Sequence, residues 1–330
     1  MILVTGGAGF IGSNLVAALN DRGDAVAVCD RLGQSEKWRN LAKREVMDIV
    51  PPESCLDWLD RHKSAVRGVV HLGAITDTTA RDADAIIKAN LHASVALWEW
   101  CAAHRRFLLY ASSAATYGSG AAGFEDGSDP AALAGLRPLN LYGWSKHLFD
   151  RRVARVVVSG GPVPSKWAGL KFFNVYGPNE YHKAAMQSLV AKNHASVAAG
   201  KKMPLFRSSD PDFPDGGQER DFVYVRDCVA VLLWLIDNEA PNDIYNLGTG
   251  KARSFLDLAH ALLRAVGRKP AVEAIDFIDM PEALRGAYQN HTEARIDRLR
   301  RAGYEDAFAT LEEGVADYVE RFLARDDPYR

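Results

Sequence analysis

Short, almost entirely apolar runs punctuate the first half of the chain, at residues 2–5, 25–29, 68–72, 107–111 and 170–174. Between them, at residues 13–21, 52–60, 81–104 and 141–158, apolar side chains recur at helical spacing among polar ones. Strands with no polar face, alternating with amphipathic helices, predict a parallel sheet covered by helices on both sides. Past Tyr176 the pattern loosens. Gly177-Pro178 marks a turn, residues 183–200 read as a helix that Gly200 can cap, and residues 208–217 are rich in Ser, Asp, Pro and Gly, which predicts a loop. A strand at 220–225, an apolar helix at 229–238 and a strand at 244–247 follow. The remainder mixes helices with one strand near 272–277, and no segment repeats. The pattern therefore assigns residues 1–175 with 220–250 to one α/β domain, and residues 176–219 with 251–330 mainly to a smaller, discontinuous α/β lobe.

The first predicted strand runs into Thr5-Gly6-Gly7-Ala8-Gly9-Phe10-Ile11-Gly12, a helix follows, and the second strand ends in Asp30. Strand, glycine turn, helix, strand, acid is the opening of a dinucleotide-binding unit in a doubly wound (Rossmann) sheet. Gly6 and Gly9 let the backbone turn tightly and approach a pyrophosphate, and Gly12 lets the helix pack closely. The helix N-terminus, with Phe10 and Ile11 in its first turn, offers free N–H groups and a partial positive charge to the phosphates. Ligands of such sheets sit beyond the strand C-termini, so Asp30, His71–Ala74 and Ser112–Ser113 should meet the glycine turn in one crevice. For His71 the simplest reading is a packed strand histidine.

Composition narrows the class. The 330 residues are 48% hydrophobic and 25% charged, with net charge −2, as in ordinary globular proteins, and nothing in the bulk charge points to nucleic acid. Cys29, Cys55, Cys101 and Cys228 are far apart and form no C-x-x-C pair, so neither disulfides nor a metal site is expected. No signal-peptide pattern and no run long enough to cross a bilayer is present, which predicts no membrane partner and a cytoplasmic location.

Candidate chemistry lies at Tyr142-Gly143-Trp144-Ser145-Lys146. Residues i and i+4 share a helix face, so phenol and ammonium point the same way. A nearby cation, or the positive ring of an oxidised nicotinamide, lowers a phenol's pKa and lets Tyr142 serve as a base. The hydroxyls of Ser112-Ser113-Ala114-Ala115-Thr116-Tyr117-Gly118, after the fourth strand, can reach a substrate oxygen opposite it.

These three motifs together resemble the extended short-chain dehydrogenase/reductase family, whose members act mostly on nucleotide sugars. Within it, Leu109 to Gly118, Pro138 to Gly143, Phe173-Asn174-Val175-Tyr176-Gly177-Pro178, His182-Lys183, Arg220 to Val225 and Asn246 to Gly250 are similar to the branch that epimerises C6 of ADP-heptoses. The similarity runs from Met1 to about Val319. It implies that Tyr142 is the catalytic base, that Lys146 also holds the cofactor ribose, and that Ser113 contacts substrate. It implies a second base, Lys183, serving the other C6 epimer; a lysine can do so only if burial or another cation lowers its pKa. From the residues alone, Lys183 is equally a phosphate ligand. The resemblance also implies a homo-oligomer, with a pentamer as one form.

Asp30 alone favours NAD, since an acid there bonds the ribose hydroxyls. Arg31 and Lys37 can clamp a 2′-phosphate, and the similar epimerases use NADP, so NADP is expected and NAD stays open. Asp48 and Ile49 are placed beside the adenine, Ala74 and Asn90 on the pyrophosphate and nicotinamide side, and Lys171 is counted with the cofactor contacts. For the substrate, Arg220 is assigned to the diphosphate, with pairing to Asp221 or Asp227 as its structural alternative. Asn174, His182 and Tyr288 join it by resemblance, and Phe206 with Leu205 can hold the substrate's base or belong to the core. A UDP-hexose 4-epimerase is the nearest rival reading. The dehydratase branch needs an Asp-Glu pair where Ala114-Ala115 stands, and GDP-fucose synthases need a cysteine near Ser113 that this chain lacks. A binding protein that has lost its chemistry is disfavoured by the presence of both Tyr142 and Lys146. Residues 159–168 and the longer loop 208–217 depart from the resemblance.

Overall fold

The first four apolar runs form strands whose residues are almost all buried. The computed structural model describes residues 1–282 and 288–330. Its strands are β1 (Ile2–Thr5), β2 (Val26–Cys29), β3 (Ile49–Val50), β4 (Gly68–His71), β5 (Phe107–Ser113), β6 (Trp167–Phe172), β7 (Asn174–Tyr176), β8 (Met203–Phe206), β9 (Glu219–Tyr224), β10 (Asp243–Leu247), β11 (Ala252–Ser254) and β12 (Ile275–Ile278). Seven form one sheet in the order β10-β6-β5-β4-β1-β2-β3, and every pair in it is parallel. The chain winds outward from β1 in both directions, which puts the switch point, and hence the crevice for a ligand, between β1 and β4.

Helices Phe10–Asp21 and Val225–Asp237 cover one face, and Cys55–Arg61, Ala93–Ala103 and Leu141–Val158 cover the other. Side chains such as Leu15, Leu19, Leu109 and Leu232 are fully or almost fully buried between these layers. Each contributes about 1.5–3 kcal/mol over an exposed position. A third apolar cluster joins helices Leu189–Ala198, Phe255–Ala265 and Leu311–Tyr318 to β8, β12, β9 and β7. Capping boxes, Ser254 with Asp257 and Thr310 with Glu313, start two of these helices.

The structure differs from the periodicity where local hydrogen bonding intervenes. The strand expected at 170–174 is two strands: β6 ends at Phe172, and Asn174 opens β7 in a different sheet. The helix expected at 183–200 is a 3₁₀ turn, Tyr181–Met186, then Leu189–Ala198, because the Ser188 side chain caps the Ala191 N–H. The long helix of 81–104 starts after the Asp82 cap and carries a π-helical stretch, Ile87–His92. The expected strand near 272 begins only at Ile275. The helix expected at 229–238 begins four residues earlier, at Val225.

Candidate active site

The glycine turn is built for close approach. Gly6 has φ +67°, and a Cβ there would lie 2.7 Å from the Gly73 backbone nitrogen. A Cβ on Gly12 would press into the Gly6 carbonyl oxygen, so the helix start can lie against the turn only as glycine. No side chain caps helix Phe10–Asp21. At the end of β2, the Asp30 carboxylate accepts from the Ala8 N–H (2.9 Å), the Arg31 N–H (2.7 Å) and the Lys37 ammonium (2.6 Å). Arg31 turns outward to an ion pair with Glu53. Asp48 accepts from the Trp58 indole, which leaves Ile49 exposed beside it. These residues and a cradle that admits no Cβ fit a dinucleotide.

Beside this cradle lies a cleft of about 730 Å³. It brings together Phe10, Ile11, Ser113, Tyr142, Asn174, Lys183, Phe206, Arg220 and Tyr288, which lie apart in sequence. Helix Leu141–Val158, capped by the Asn140 side chain on the Gly143 N–H, aims Tyr142 at the end of β5, where its phenol bonds Ser113. Burial raises the phenol's pKa, the Asp150 carboxylate adds to the rise, and the Ser113 bond offsets part of it. Burial also pushes Lys146 down to about 8. Desolvation is the larger effect of the protein's own residues on Tyr142, and it opposes the lowering that a cation, or the positive ring of an oxidised nicotinamide, would bring. Lys183 sits on the 3₁₀ turn with its ammonium 5.3 Å from the Phe10 ring centroid. Burial lowers its pKa, against the attraction of Glu180. The next residue, Ala184, is held at φ +45°, a conformation that L residues rarely adopt.

Arg220, on β9, is 6% exposed. Neither Asp221 nor Asp227 pairs with it. Asp221 accepts from the backbone of Thr249, Gly250 and Ala294, and Asp227 accepts from the Ala309 N–H. The guanidinium instead bonds the Glu219 carbonyl and lies 4.8 Å from the Tyr288 ring centroid and 5.5 Å from that of Phe255. Among the described residues no carboxylate neutralises it.

Several expected contacts fall elsewhere. Lys171 does not reach the cleft: it is fully buried under the sheet's catalytic end, with Thr116 at 2.6 Å and Asp150 at 3.1 Å. His182 faces Asn40 and lies near Lys37 and Asp30, on the cofactor side of the cleft. Asn90 spends its amide on both backbone groups of Ile75 and on Ser145, so it holds the loop around the half-buried Ala74 in place. His71 is a packed strand residue between the Thr5 and Ser94 hydroxyls, held neutral by burial with its pKa near 3. The sequence reading missed Lys192 and Gln289, which also line the cleft, and Asp150, although its place eight residues after Tyr142 marks the same helix face. Among the described residues no His, Cys, Asp and Glu side chains gather as a metal site, and no helix is long and apolar enough to cross a membrane.

A parallel sheet with a glycine cradle, a serine and a Tyr-x-x-x-Lys helix at its C-terminal edge defines a class. The chain belongs to the NAD dependent epimerase/dehydratase family, whose model matches residues 2–248. It is an epimerase, an isomerase. The ADP-L-glycero-D-manno-heptose-6-epimerase of Nitratidesulfovibrio vulgaris strain DP4 is 48% identical to it over 332 residues, covering 100% of both chains. Among solved structures, the ADP-L-glycero-D-manno-heptose-6-epimerase of Helicobacter pylori superposes with TM-score 0.77 at 29% identity, over 97% of this chain and 95% of its own. The UDP-glucose 4-epimerase of Thermus thermophilus, solved as a complex with NAD, gives TM-score 0.71 at 26% identity over 97% of each chain.

Proposed function

We propose that this protein interconverts ADP-D-glycero-D-manno-heptose and its C6 epimer, ADP-L-glycero-D-manno-heptose, using tightly held NADP, and so supplies heptose for lipopolysaccharide core. The observation that carries the reading is that one cleft is lined by Tyr142, Lys183 and Arg220, whose guanidinium no carboxylate neutralises among the described residues. NADP supplies the hydride acceptor and donor. Gly6, Gly9 and Gly12 with the helix N-terminus would hold its pyrophosphate, and Lys37 its 2′-phosphate. Tyr142, oriented by Ser113, takes the C6 hydroxyl proton of one epimer. Lys183, whose pKa burial lowers, gives a proton to the C6 oxygen of the other epimer after the ketone has presented its second face, and takes that proton in the reverse direction. Arg220 holds the diphosphate, with Asn174 and Tyr288 beside it and Phe206 against the base. In this reading residues 1–175 and 220–250 hold the cofactor and the rest mainly substrate, with Ser113, Tyr142, Asn174 and Arg220 of the first part reaching the substrate as well.

Proton NMR of the purified protein with the D-glycero sugar in heavy water, beside a UDP-glucose sample, tests the reading. The expected result is conversion to the L-glycero epimer with no deuterium at carbon, because the same hydride returns. Deuterium at C6, or turnover of UDP-glucose alone, overturns it.

NADP preference rests on Lys37, which stands 2.6 Å from Asp30 and offsets the acid that would repel a 2′-phosphate. Lys37→Ala removes one charge-assisted contact and exposes that acid. NADP affinity should fall roughly 10- to 100-fold, the equivalent of about 1.5–3 kcal/mol, with NAD affinity unchanged or improved. Calorimetric titration of the cofactor-free protein with both dinucleotides measures this.

A further inference from the structure

Beneath the cleft lies a charged pair that the mechanism above does not use. Lys171 on β6 and Asp150 on helix Leu141–Val158 are both fully buried, with their ionic atoms 3.1 Å apart. Such a pair is costly to desolvate and adds little stability by itself, so its partners matter. Asp150 also accepts from the Ser112 hydroxyl at 2.6 Å and the Tyr110 hydroxyl at 3.2 Å. Lys171 donates to the Thr116 hydroxyl at 2.6 Å, and Thr116 donates to the Ser113 carbonyl at 2.8 Å. Ser113 in turn bonds Tyr142. Asp150 lies four residues beyond Lys146 and eight beyond Tyr142, on the same helix face. The pair thus ties β5, the turn after it, β6 and the catalytic helix to one another.

We propose that Lys171 is a positioning residue for the reaction: through Thr116 it fixes the Ser113 turn against Tyr142, and through Asp150 it offsets the negative charge beneath the Tyr142–Lys146 face. The proposal rests on the assignment of Tyr142 as a proton carrier. The charges in play are known. Asp150 raises the pKa of both Tyr142 and Lys146. His147 on the same helix is held down to about 4, mainly by burial, and feels both members of the pair. Tyr110 and Tyr117 face the pair from β5 and its turn, and their other charged neighbours are Asp243 and Asp126, both bound by Arg298, and Glu125, which pairs with Arg295. Removing the Lys171 charge takes away the cation that faces Asp150 while two hydroxyls still donate to it, and the uncompensated field of the carboxylate opposes formation of the tyrosinate.

The test follows Tyr142 ionisation in the NADP-loaded protein, read as the pH-dependent tyrosinate absorbance of each variant minus that of the same variant carrying Tyr142→Phe. In Lys171→Met the titration should move up by about one pH unit, with kcat on the ADP-heptose about tenfold lower at neutral pH. In Asp150→Asn it should move down, and in the double variant it should return near wild type. Lys171→Arg should preserve the wild-type curve. A titration unmoved in both single variants overturns the proposal. So does loss of activity in Lys171→Met with an unchanged pH profile, which marks a structural role only. If Lys171→Met does not fold, Asp150→Asn and the charge-free double variant decide the matter by the same readout. If the titrations move as expected while wild type leaves the ADP-heptose untouched, the substrate reading has failed and Lys171 keeps its role.

Discussion

Tyr142→Phe combined with Lys183→Met should abolish epimerisation while the cofactor stays bound. A positioned general base contributes roughly 10²- to 10⁴-fold, so each single variant should lose activity on that scale and the double variant should fall to background. Cofactor retention is expected because the cradle, Asp30 and Lys37 lie outside both substitutions; it is measured as absorbance released on denaturation. The pH profile separates the two bases. In the direction that starts from the epimer whose hydroxyl proton Lys183 takes, Lys183 works only when neutral, so its limb of kcat rises with pH, below the ordinary lysine range because burial lowers its pKa. That limb should vanish in Lys183→Met and persist in Tyr142→Phe. Stability carries the matching sign. Between the lowered folded pKa and the ordinary unfolded one, the unfolded chain binds the extra proton. Burying Lys183 therefore costs stability at neutral pH, and the cost fades as pH rises through that window. Lys183→Met should be no less stable than wild type at pH 7 in urea titrations. A double variant that still epimerises removes the two-base assignment.

The cofactor half of the molecule was legible because its signals are local. A strand, a glycine turn whose Cβ atoms have no room, and an acid at the next strand end follow one another within thirty residues. Tyr142 and Lys146 were legible for the same reason: one helical turn sets their relation. Residues whose environment is made by distant chain could not be read so well. Lys171 looks like a cation at a strand end. Only the packing of helix Leu141–Val158 across β5 and β6 puts Asp150 over it and seals both from solvent. Asn90 and His182 look like free ligands, yet one is consumed by the loop after β4 and the other is drawn to Asn40. Helical spacing shows the cation beside Tyr142 but not the desolvation that opposes its effect on the phenol. The substrate lobe was seen only in outline. Its strands are short, β8 pairs with β12 some seventy residues on, and the switch of chain from β6 to β7 leaves no mark in hydrophobicity.

Arg220→Met should make the protein more stable and a worse enzyme. Its guanidinium is 6% exposed and among the described residues meets no carboxylate, only the Glu219 carbonyl and the Phe255 and Tyr288 rings. Burial lowers its pKa, the sign of a charge that its surroundings do not repay. Methionine fills similar space and leaves no unmet donor, so unfolding free energy should rise by about 1–3 kcal/mol, read as a higher denaturation midpoint without substrate. A diphosphate entering the cleft would be the missing counter-charge. A fixed guanidinium can meet it with two N–H groups at once, in a region where water screens little. Loss of that pairing should raise KM for the nucleotide sugar by roughly 10²-fold or more, about 2–5 kcal/mol, with NADP binding unaffected. Arg220→Lys should recover only part of it, because an ammonium lacks the planar fork. Thermal melts with and without ADP make the contrast direct: ADP should raise the wild-type midpoint and leave that of Arg220→Met where it is. A variant that is destabilised and still binds ADP normally would mean that Arg220 supports the lobe and does not grip the diphosphate.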